Sequence, residues 1–199
     1  MHDATTTLSE FLAAASAKQP TPGGGAVAAL AGALAAAMGE MVLNYSVGKK
    51  DLAAHSGHNA QTVRELTAIR HDLLRLMVKD QAAFAELTAA KKAGEDSLTL
   101  VRVCVDVPRA ISRHAIRTLE LAIAVAPTSN PFLLSDLAVC GECAMAALRS
   151  GLHSAAANLG DILEPERSTT SNDLEAVRVE GVRLIQQLTS AIAARQAGS

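Results

Sequence analysis

Residues 25–48, GAVAALAGALAAAMGEMVLNYSVG, form the apolar run that decides the fold. Alanine has the highest helix propensity, so the run predicts a long helix. Because this helix is apolar on nearly every side, other helices must cover it. Its length approaches that of a membrane span, but Glu40 interrupts it and alanine and glycine stand where spans usually carry leucine. We therefore expect a buried core helix and no membrane association.

Small residues recur along this helix at spacings of three or four positions. Ala28, Gly32, Ala36 and Gly39 form a smooth stripe that lets another backbone approach closely. The stripe is compatible with packing inside the chain and with an interface to a second copy. We expect a homodimer that uses this helix or its neighbours.

The rest of the chain also predicts helices, separated at proline and glycine. They are expected over residues 6–17, 59–92, 98–125, 132–163 and 173–195, and Pro108 is expected to kink or interrupt the fourth helix of the chain. At 199 residues the chain suits one domain with a sizeable core. The prediction is an all-α fold, a single bundle of about six helices over residues 1–199.

Composition argues against several classes of protein. The net charge is −2 with mixed signs, and aromatic residues make up only 2%. A nucleic-acid-binding protein needs a basic surface and usually stacking aromatic side chains, so we expect no nucleic-acid partner. Cys104, Cys140 and Cys143 form no disulfide framework, and the N-terminal segment lacks the pattern of a signal peptide. A cytoplasmic location is expected.

The first candidate site is the turn that precedes the apolar helix. Thr21 and Pro22 are followed by Gly23, Gly24 and Gly25. Successive glycines let a ligand approach the backbone closely, and a helix N-terminus offers free N–H groups. From spacing alone, a sharp turn and a binding loop are equally compatible with this pattern.

The second candidate is a carboxylate on the apolar stripe of the third predicted helix. That stripe consists of Val63, Leu66, Ile69, Leu73, Leu76, Met77, Phe84 and Leu87, and Asp80 falls within it. Burial raises the pKa of a carboxylate towards the range where a general base works best. The alternatives are a bond to a neighbouring helix or a buried pair with lysine or arginine.

Other polar residues are weaker candidates. Ser135 and Asp136 near a helix start, with Asn130 before them, are also explained by capping and by the helix dipole. His55 and His58 have the spacing of metal ligands but no partner in a metal motif, so no metal is expected. The basic pair Lys49–Lys50 could meet a carboxylate tail.

Taken together and in order, these features resemble the cyclodeaminase/cyclohydrolase family of folate one-carbon metabolism. The resemblance is carried by four segments: PTPGGG (residues 20–25), MVLNYSVGKK (residues 41–50), DQAAF (residues 80–84) and Asn130, Ser135, Asp136 with Asn158. It implies an all-α homodimer that binds a tetrahydrofolate derivative as substrate and uses no further cofactor. Asp80 corresponds to the proposed proton acceptor of the family. The substrate-binding residues are then Pro22, Gly23, Gly24, Gly25, Asn44, Lys49, Lys50, Ser135, Asp136 and Asn158.

The resemblance leaves the reaction open between two activities. A methenyltetrahydrofolate cyclohydrolase hydrolyses 5,10-methenyltetrahydrofolate to 10-formyltetrahydrofolate. A formimidoyltetrahydrofolate cyclodeaminase forms the same methenyl compound and releases ammonia. We favour the cyclohydrolase because no formiminotransferase domain is fused to this chain.

Two departures from the family pattern keep a third possibility open. Ala26 stands where the family usually has serine, and Ile162 where a second asparagine is common. The third possibility is a non-catalytic folate-binding or dimerisation module.

Overall fold

The computed structural model of the protein describes residues 1–197 and consists of helices joined by short turns. The helices are α1 (Leu8–Ser16), α2 (Gly24–Asn44), α3 (Ser56–Ala93), α4 (Leu98–Val125), α5 (Leu134–Ala156) and α6 (Glu166–Ala197). Short 3₁₀ turns lie at Lys50–His55, Ala126–Thr128, Pro131–Leu133 and Leu159–Asp161. No strand occurs in residues 1–197. The predicted all-α bundle of about six helices is confirmed.

Helix α2 lies at the centre of the bundle, between α3 and α5 and in contact with α4. A Cβ atom added at Gly32 would lie 3.0 Å from Cδ1 of Leu73, and one added at Gly39 would lie 3.0 Å from Cδ1 of Leu66. Leucine side chains of α3 therefore pack directly against the small-residue stripe of α2. Of its two expected roles, packing within the chain is the one observed.

The opposite face of α2 stays partly uncovered. Val27 is 45% exposed and Leu34 53% exposed, while Leu30, Met38 and Met41 are partly buried. One chain therefore does not cover this helix on every side, and the expectation that a second copy covers the remaining face stays a prediction. Helix α2 and the segment Pro131–Asp161 are both long and apolar enough to cross a membrane, and α2 and α5 pack against each other and against other helices of the bundle.

Three helix ends lie four or more residues from the prediction. Helix α5 ends at Ala156, seven residues before the predicted end, and the chain continues into the 3₁₀ turn Leu159–Asp161. Helix α2 ends at Asn44, before the turn in which Gly48 adopts a positive φ of 84°.

Helix α6 begins at Glu166, seven residues before the predicted start. The Glu164 carboxylate accepts a hydrogen bond from the backbone N–H of Ser168 at 3.1 Å and so caps the first turn of α6. Residues 166–172, which the prediction left between two helices, are therefore helical.

Helix α4 runs through Pro108 without ending there, so the expected interruption does not occur. Pro108 is buried on the side that faces α5. A Cβ atom at Gly151 of α5 would lie 2.8 Å from the carbonyl oxygen of Pro108. The glycine lets the two helices approach closely beside the cleft described next.

Candidate active site

A cleft of about 350 Å³ opens where the amino end of α2 meets α3, α4 and the carboxyl end of α5. Its volume lies at the small end of the range for ligand sites. The turn before α2 contributes Pro20, Thr21 and Gly23, and the first turn of the helix contributes Gly24 and Gly25. The sequence left a sharp turn and a binding loop equally possible for this segment. In the structure the glycine-rich turn forms part of the wall of a cleft, which favours the binding loop.

The Asp80 side chain lies directly against this turn. A Cβ atom added at Gly25 would be no farther than 2.7 Å from either carboxylate oxygen of Asp80. Real Cβ atoms do not approach oxygen this closely, so the third glycine makes room for the carboxylate. The backbone amide of Ala26 interacts with the same carboxylate. The carboxylate of Asp80, a residue of α3, therefore lies at the amino end of α2, where the helix dipole favours negative charge.

Burial sets the titration of Asp80. Desolvation raises the pKa of its carboxyl above the ordinary value, and the Ala26 amide opposes this only in part. None of the ion pairs in residues 1–197 involves Asp80, so the alternative of a buried pair with lysine or arginine is not observed. The carboxylate thus faces the cleft without a counter-charge.

Asn158 binds a backbone carbonyl of α4 that lacks its usual helical hydrogen bond. Pro108 has no N–H, so it cannot donate to the carbonyl oxygen of Cys104 one turn earlier. The Nδ2 atom of Asn158 donates to that carbonyl at 3.3 Å and to the carbonyl of Ser154 at 3.0 Å. With Nδ2 occupied, Oδ1 is the atom of Asn158 that a ligand can use as an acceptor.

The remaining walls are apolar or neutral. Phe84 is 41% exposed and lines the cleft, so its predicted place in the core is wrong. Cys104, Pro108, Ser154 and Ala157 complete the lining. The lining residues include no lysine, arginine or histidine, so Asp80 is the charged group at this site.

Comparison with known proteins agrees with this geometry. The family model for formiminotransferase-cyclodeaminase matches residues 7–174, which include every residue that lines the cleft. The chain belongs to the formiminotransferase-cyclodeaminase family.

Two relatives of the family show how far the similarity extends. A methenyltetrahydrofolate cyclohydrolase from Methylorubrum extorquens is 30% identical over 164 residues, which cover 77% of each chain. The crystal structure of a formiminotetrahydrofolate cyclodeaminase from Thermotoga maritima superposes with a TM-score of 0.90 at 25% identity and covers 96% of this chain and 97% of that one. The chain is therefore similar over most of its length to folate enzymes of both activities.

The structure brings together only part of the site expected from the family resemblance. Gly23, Gly24, Gly25, Asp80 and Asn158 line one cleft, and Pro22 is buried within the same turn. Asn44, Lys49, Lys50, Ser135 and Asp136 lie at or beyond the other end of α2. A helix of 21 residues is about 30 Å long, so the second group does not reach the cleft of its own chain.

The second group forms a surface of its own. The Nζ atom of Lys49 lies 5.8 Å from the ring centre of Phe132, and the backbone N–H of Asn130 donates to Oγ of Ser46 at 2.9 Å. These contacts join the loop after α2 to the turn before α5. A role for these residues in substrate binding stays a prediction.

The two departures from the family pattern do not alter the lining of the cleft. The methyl group of Ala26 is fully buried, and this residue acts through its backbone amide. Ile162 is buried in the hydrophobic core. Neither residue is among those that line the cleft.

No histidine lines the cleft, and Cys104 is the one cysteine among its lining residues. His55 and His58 are exposed, and no cluster of three potential metal ligands occurs in residues 1–197. Cys140 is buried, and desolvation raises the pKa of its thiol to about 12. Metal independence stays a prediction.

Sequence reasoning did not predict that Cys104, Pro108 and Ser154 line the cleft. Only the proline carried a local signal, because a proline inside a helix frees the carbonyl oxygen one turn earlier. The position of that carbonyl beside Asn158 depends on how α4 and α5 pack.

Proposed function

We propose that the protein is a methenyltetrahydrofolate cyclohydrolase that converts 5,10-methenyltetrahydrofolate to 10-formyltetrahydrofolate. The observation that carries this proposal is Asp80, an unpaired, half-buried carboxylate that faces an otherwise neutral cleft beside the glycine turn. The methenyl bridge is a cation delocalised over N5 and N10. A carboxylate in a site of low polarity attracts such a cation more strongly than it does in water.

Hydrolysis requires one base in the position of Asp80. Water attacks the bridge carbon, its oxygen forms the new C–O bond, and the Asp80 carboxylate takes one proton from it. The resulting carbinol loses its bond to N5, and the bond electrons and the proton held by Asp80 go to N5. The remaining hydroxyl proton leaves to solvent as the formyl C=O forms on N10. The net reaction consumes one water and releases one proton.

The environment of Asp80 suits this task in two ways. Desolvation raises its pKa, which makes the carboxylate a stronger base than an exposed aspartate. Its carboxylate lies against Gly25 at the amino end of α2, and the amide of Ala26 favours its charged form. The base is therefore located beside the glycine turn before the substrate binds.

Cyclodeamination is the second candidate, supported by the similarity to the Thermotoga maritima cyclodeaminase. In that reaction N10 attacks the formimino carbon, N10 gives up its proton, and the departing nitrogen takes a proton and leaves as ammonia. Asp80 would carry the proton between the two nitrogens. Both reactions pass through a tetrahedral bridge carbon, so the same cleft suits either.

Two parallel assays separate the alternatives. The protein is incubated with 5,10-methenyltetrahydrofolate and, separately, with 5-formiminotetrahydrofolate, while the absorbance of the methenyl group is followed. Enzyme-dependent loss in the first assay indicates the cyclohydrolase, and gain in the second indicates the cyclodeaminase. Binding of both compounds without turnover would replace both proposals with a non-catalytic folate-binding module.

We further propose a cytoplasmic homodimer that needs no cofactor besides its folate substrate. The exposed apolar face of α2 around Val27 and Leu34 supports the dimer, because a second copy would bury it. A twofold axis that crosses α2 near Leu34 would bring the Lys49 end of one copy towards the cleft of the other. Such an arrangement would reunite the two groups of residues expected to bind substrate.

A further inference from the structure

An ion pair connects two elements that border the cleft. Nζ of Lys91, near the end of α3, lies 2.5 Å from Oδ2 of Asp161 in the 3₁₀ turn Leu159–Asp161. Asp161 follows the cleft residue Asn158 by three positions. The pair therefore links the helix that carries Asp80 to the segment that carries Asn158.

The helical register places Lys91 on the same face of α3 as Asp80. Eleven residues at 3.6 residues per turn return almost to the starting direction, three turns and about 16 Å further along the axis. Phe84, which lies on this face between them, lines the cleft. Lys91 is thus positioned about two turns beyond the phenylalanine, past the residues that line the cleft and on the side away from the glycine turn.

Cys104 supports this position electrostatically. Desolvation is the main cause that raises the pKa of its thiol, and the charge of Asp80 raises it further. The charge of Lys91 lowers this pKa, and the charge of Glu86, the smallest cause, raises it. Cys104 lines the cleft, so a residue of its wall is within reach of both charges. Of the charges that act on Cys104, that of Asp80 lies at the glycine turn, and those of Lys91 and Glu86 lie further along α3.

The proposed substrate has a matching distribution of charge. Its reacting bridge is cationic, and a benzoyl ring and an amide bond separate this bridge from a glutamate that carries two carboxylates. The cleft lining contains no cationic side chain, so the lining alone leaves these carboxylates without a partner. Lys91 is a cation three turns beyond Asp80, on a flexible stem.

We propose that Lys91 binds a glutamate carboxylate of the folate substrate, and that Asp161 occupies this lysine when no substrate is bound. The inference rests on the proposed function, because it takes a folate as the ligand. Lys91 is then a binding residue that selects folates with a glutamate tail, and Asp161 is a competitor that weakens their binding.

The exchange of one carboxylate for another is energetically easy. The side chains of Lys91 and Asp161 are 48% and 52% exposed. Ion pairs this accessible to water contribute little to stability, because solvent screens them. An incoming carboxylate therefore replaces Asp161 without breaking a strong interaction.

Calorimetric titration with two unreactive ligands tests the proposal. The ligands are tetrahydrofolate and tetrahydropteroate, which lacks the glutamate and carries its one carboxylate directly on the benzene ring, nearer to the pterin than either glutamate carboxylate. Lys91→Ala is expected to raise the Kd of tetrahydrofolate about three- to tenfold, the range for loss of one charged contact near water, and to leave the Kd of tetrahydropteroate unchanged. Asp161→Asn is expected to lower the Kd of tetrahydrofolate alone. Lys92→Ala, a neighbouring exposed lysine, is the matched control and is expected to change neither.

The outcomes separate this inference from the proposed function. An unchanged tetrahydrofolate Kd in Lys91→Ala, or an equal rise for both ligands, would overturn the role of Lys91 while leaving the folate activity intact. A selective loss in Lys49→Ala instead would assign the tail to the other end of α2. If neither tetrahydrofolate nor tetrahydropteroate binds the unmodified protein, the proposed function and this inference both fail.

Discussion

Substitution of Gly25 by alanine tests the central contact of the site. The added Cβ atom would lie no farther than 2.7 Å from either carboxylate oxygen of Asp80. The nearer oxygen would lie 2.0 Å away, and non-bonded heavy atoms prefer separations of about 3.5 Å, so the carboxylate must retreat by roughly 1.5 Å. Misplacement of a catalytic group by about 1 Å lowers rates by about 10²-fold. We therefore expect Gly25→Ala to lower kcat/KM at least about 100-fold.

The fold should tolerate the same substitution. Alanine in place of glycine inside a helix contributes up to about 1 kcal/mol, which offsets the strain of moving one side chain. The free energy of unfolding, measured by urea denaturation followed by circular dichroism, should change by less than about 1 kcal/mol. Activity would then be lost in a protein of nearly unchanged stability.

Two further glycines provide graded controls. A Cβ atom at Gly57, in the first turn of α3, meets nothing within 4 Å, so Gly57→Ala should leave kcat/KM unchanged. A Cβ atom at Gly24 lies 3.2 Å from Oγ of Ser154, a contact that a small shift relieves, so Gly24→Ala should have an intermediate effect. A folded Gly25→Ala variant with at least half of the normal kcat/KM would refute the role assigned to this contact.

Three further predictions concern the base, metals and assembly. Asp80→Asn should retain the fold and lose about 10²–10⁴-fold in kcat, and an acidic limb of the unmodified enzyme's pH profile should lie above pH 3.8. Because the folded-state pKa of Asp80 is raised, the native state holds its proton more tightly than the unfolded chain does. This carboxyl therefore makes the free energy of unfolding fall as pH rises from about 3.8 to the raised pKa, and Asp80→Asn should remove that fall. A near-normal kcat in Asp80→Asn would exclude Asp80 as the base. Activity should survive exhaustive dialysis against EDTA, and a loss that zinc restores would contradict the carboxylate mechanism. Sedimentation equilibrium should show a dimer at micromolar concentration that Leu34→Arg dissociates and Val179→Arg, on exposed α6, does not; an active monomer of unmodified protein would rule out the dimer.

The sequence by itself determined the helices and the candidate base. Helix type follows from local propensity and from a 3.6-residue period, which are properties of neighbouring residues. The same period identified Asp80 as a carboxylate on an apolar stripe. It assigned Phe84 to the core for the same reason, although a stripe that faces the protein can also face a cleft within it.

Only the tertiary structure decided what surrounds that base. The contact of Gly25 with Asp80 joins residues 55 positions apart, and the contact of Asn158 with the Cys104 carbonyl joins residues 54 apart. No local pattern encodes either contact, because each depends on the packing of separate helices. The length of α2, about 30 Å, also decided that Lys49, beyond the far end of this helix, does not reach the cleft of its own chain. Motifs read in order along a sequence do not reveal such separations, since a rigid helix keeps its two ends apart.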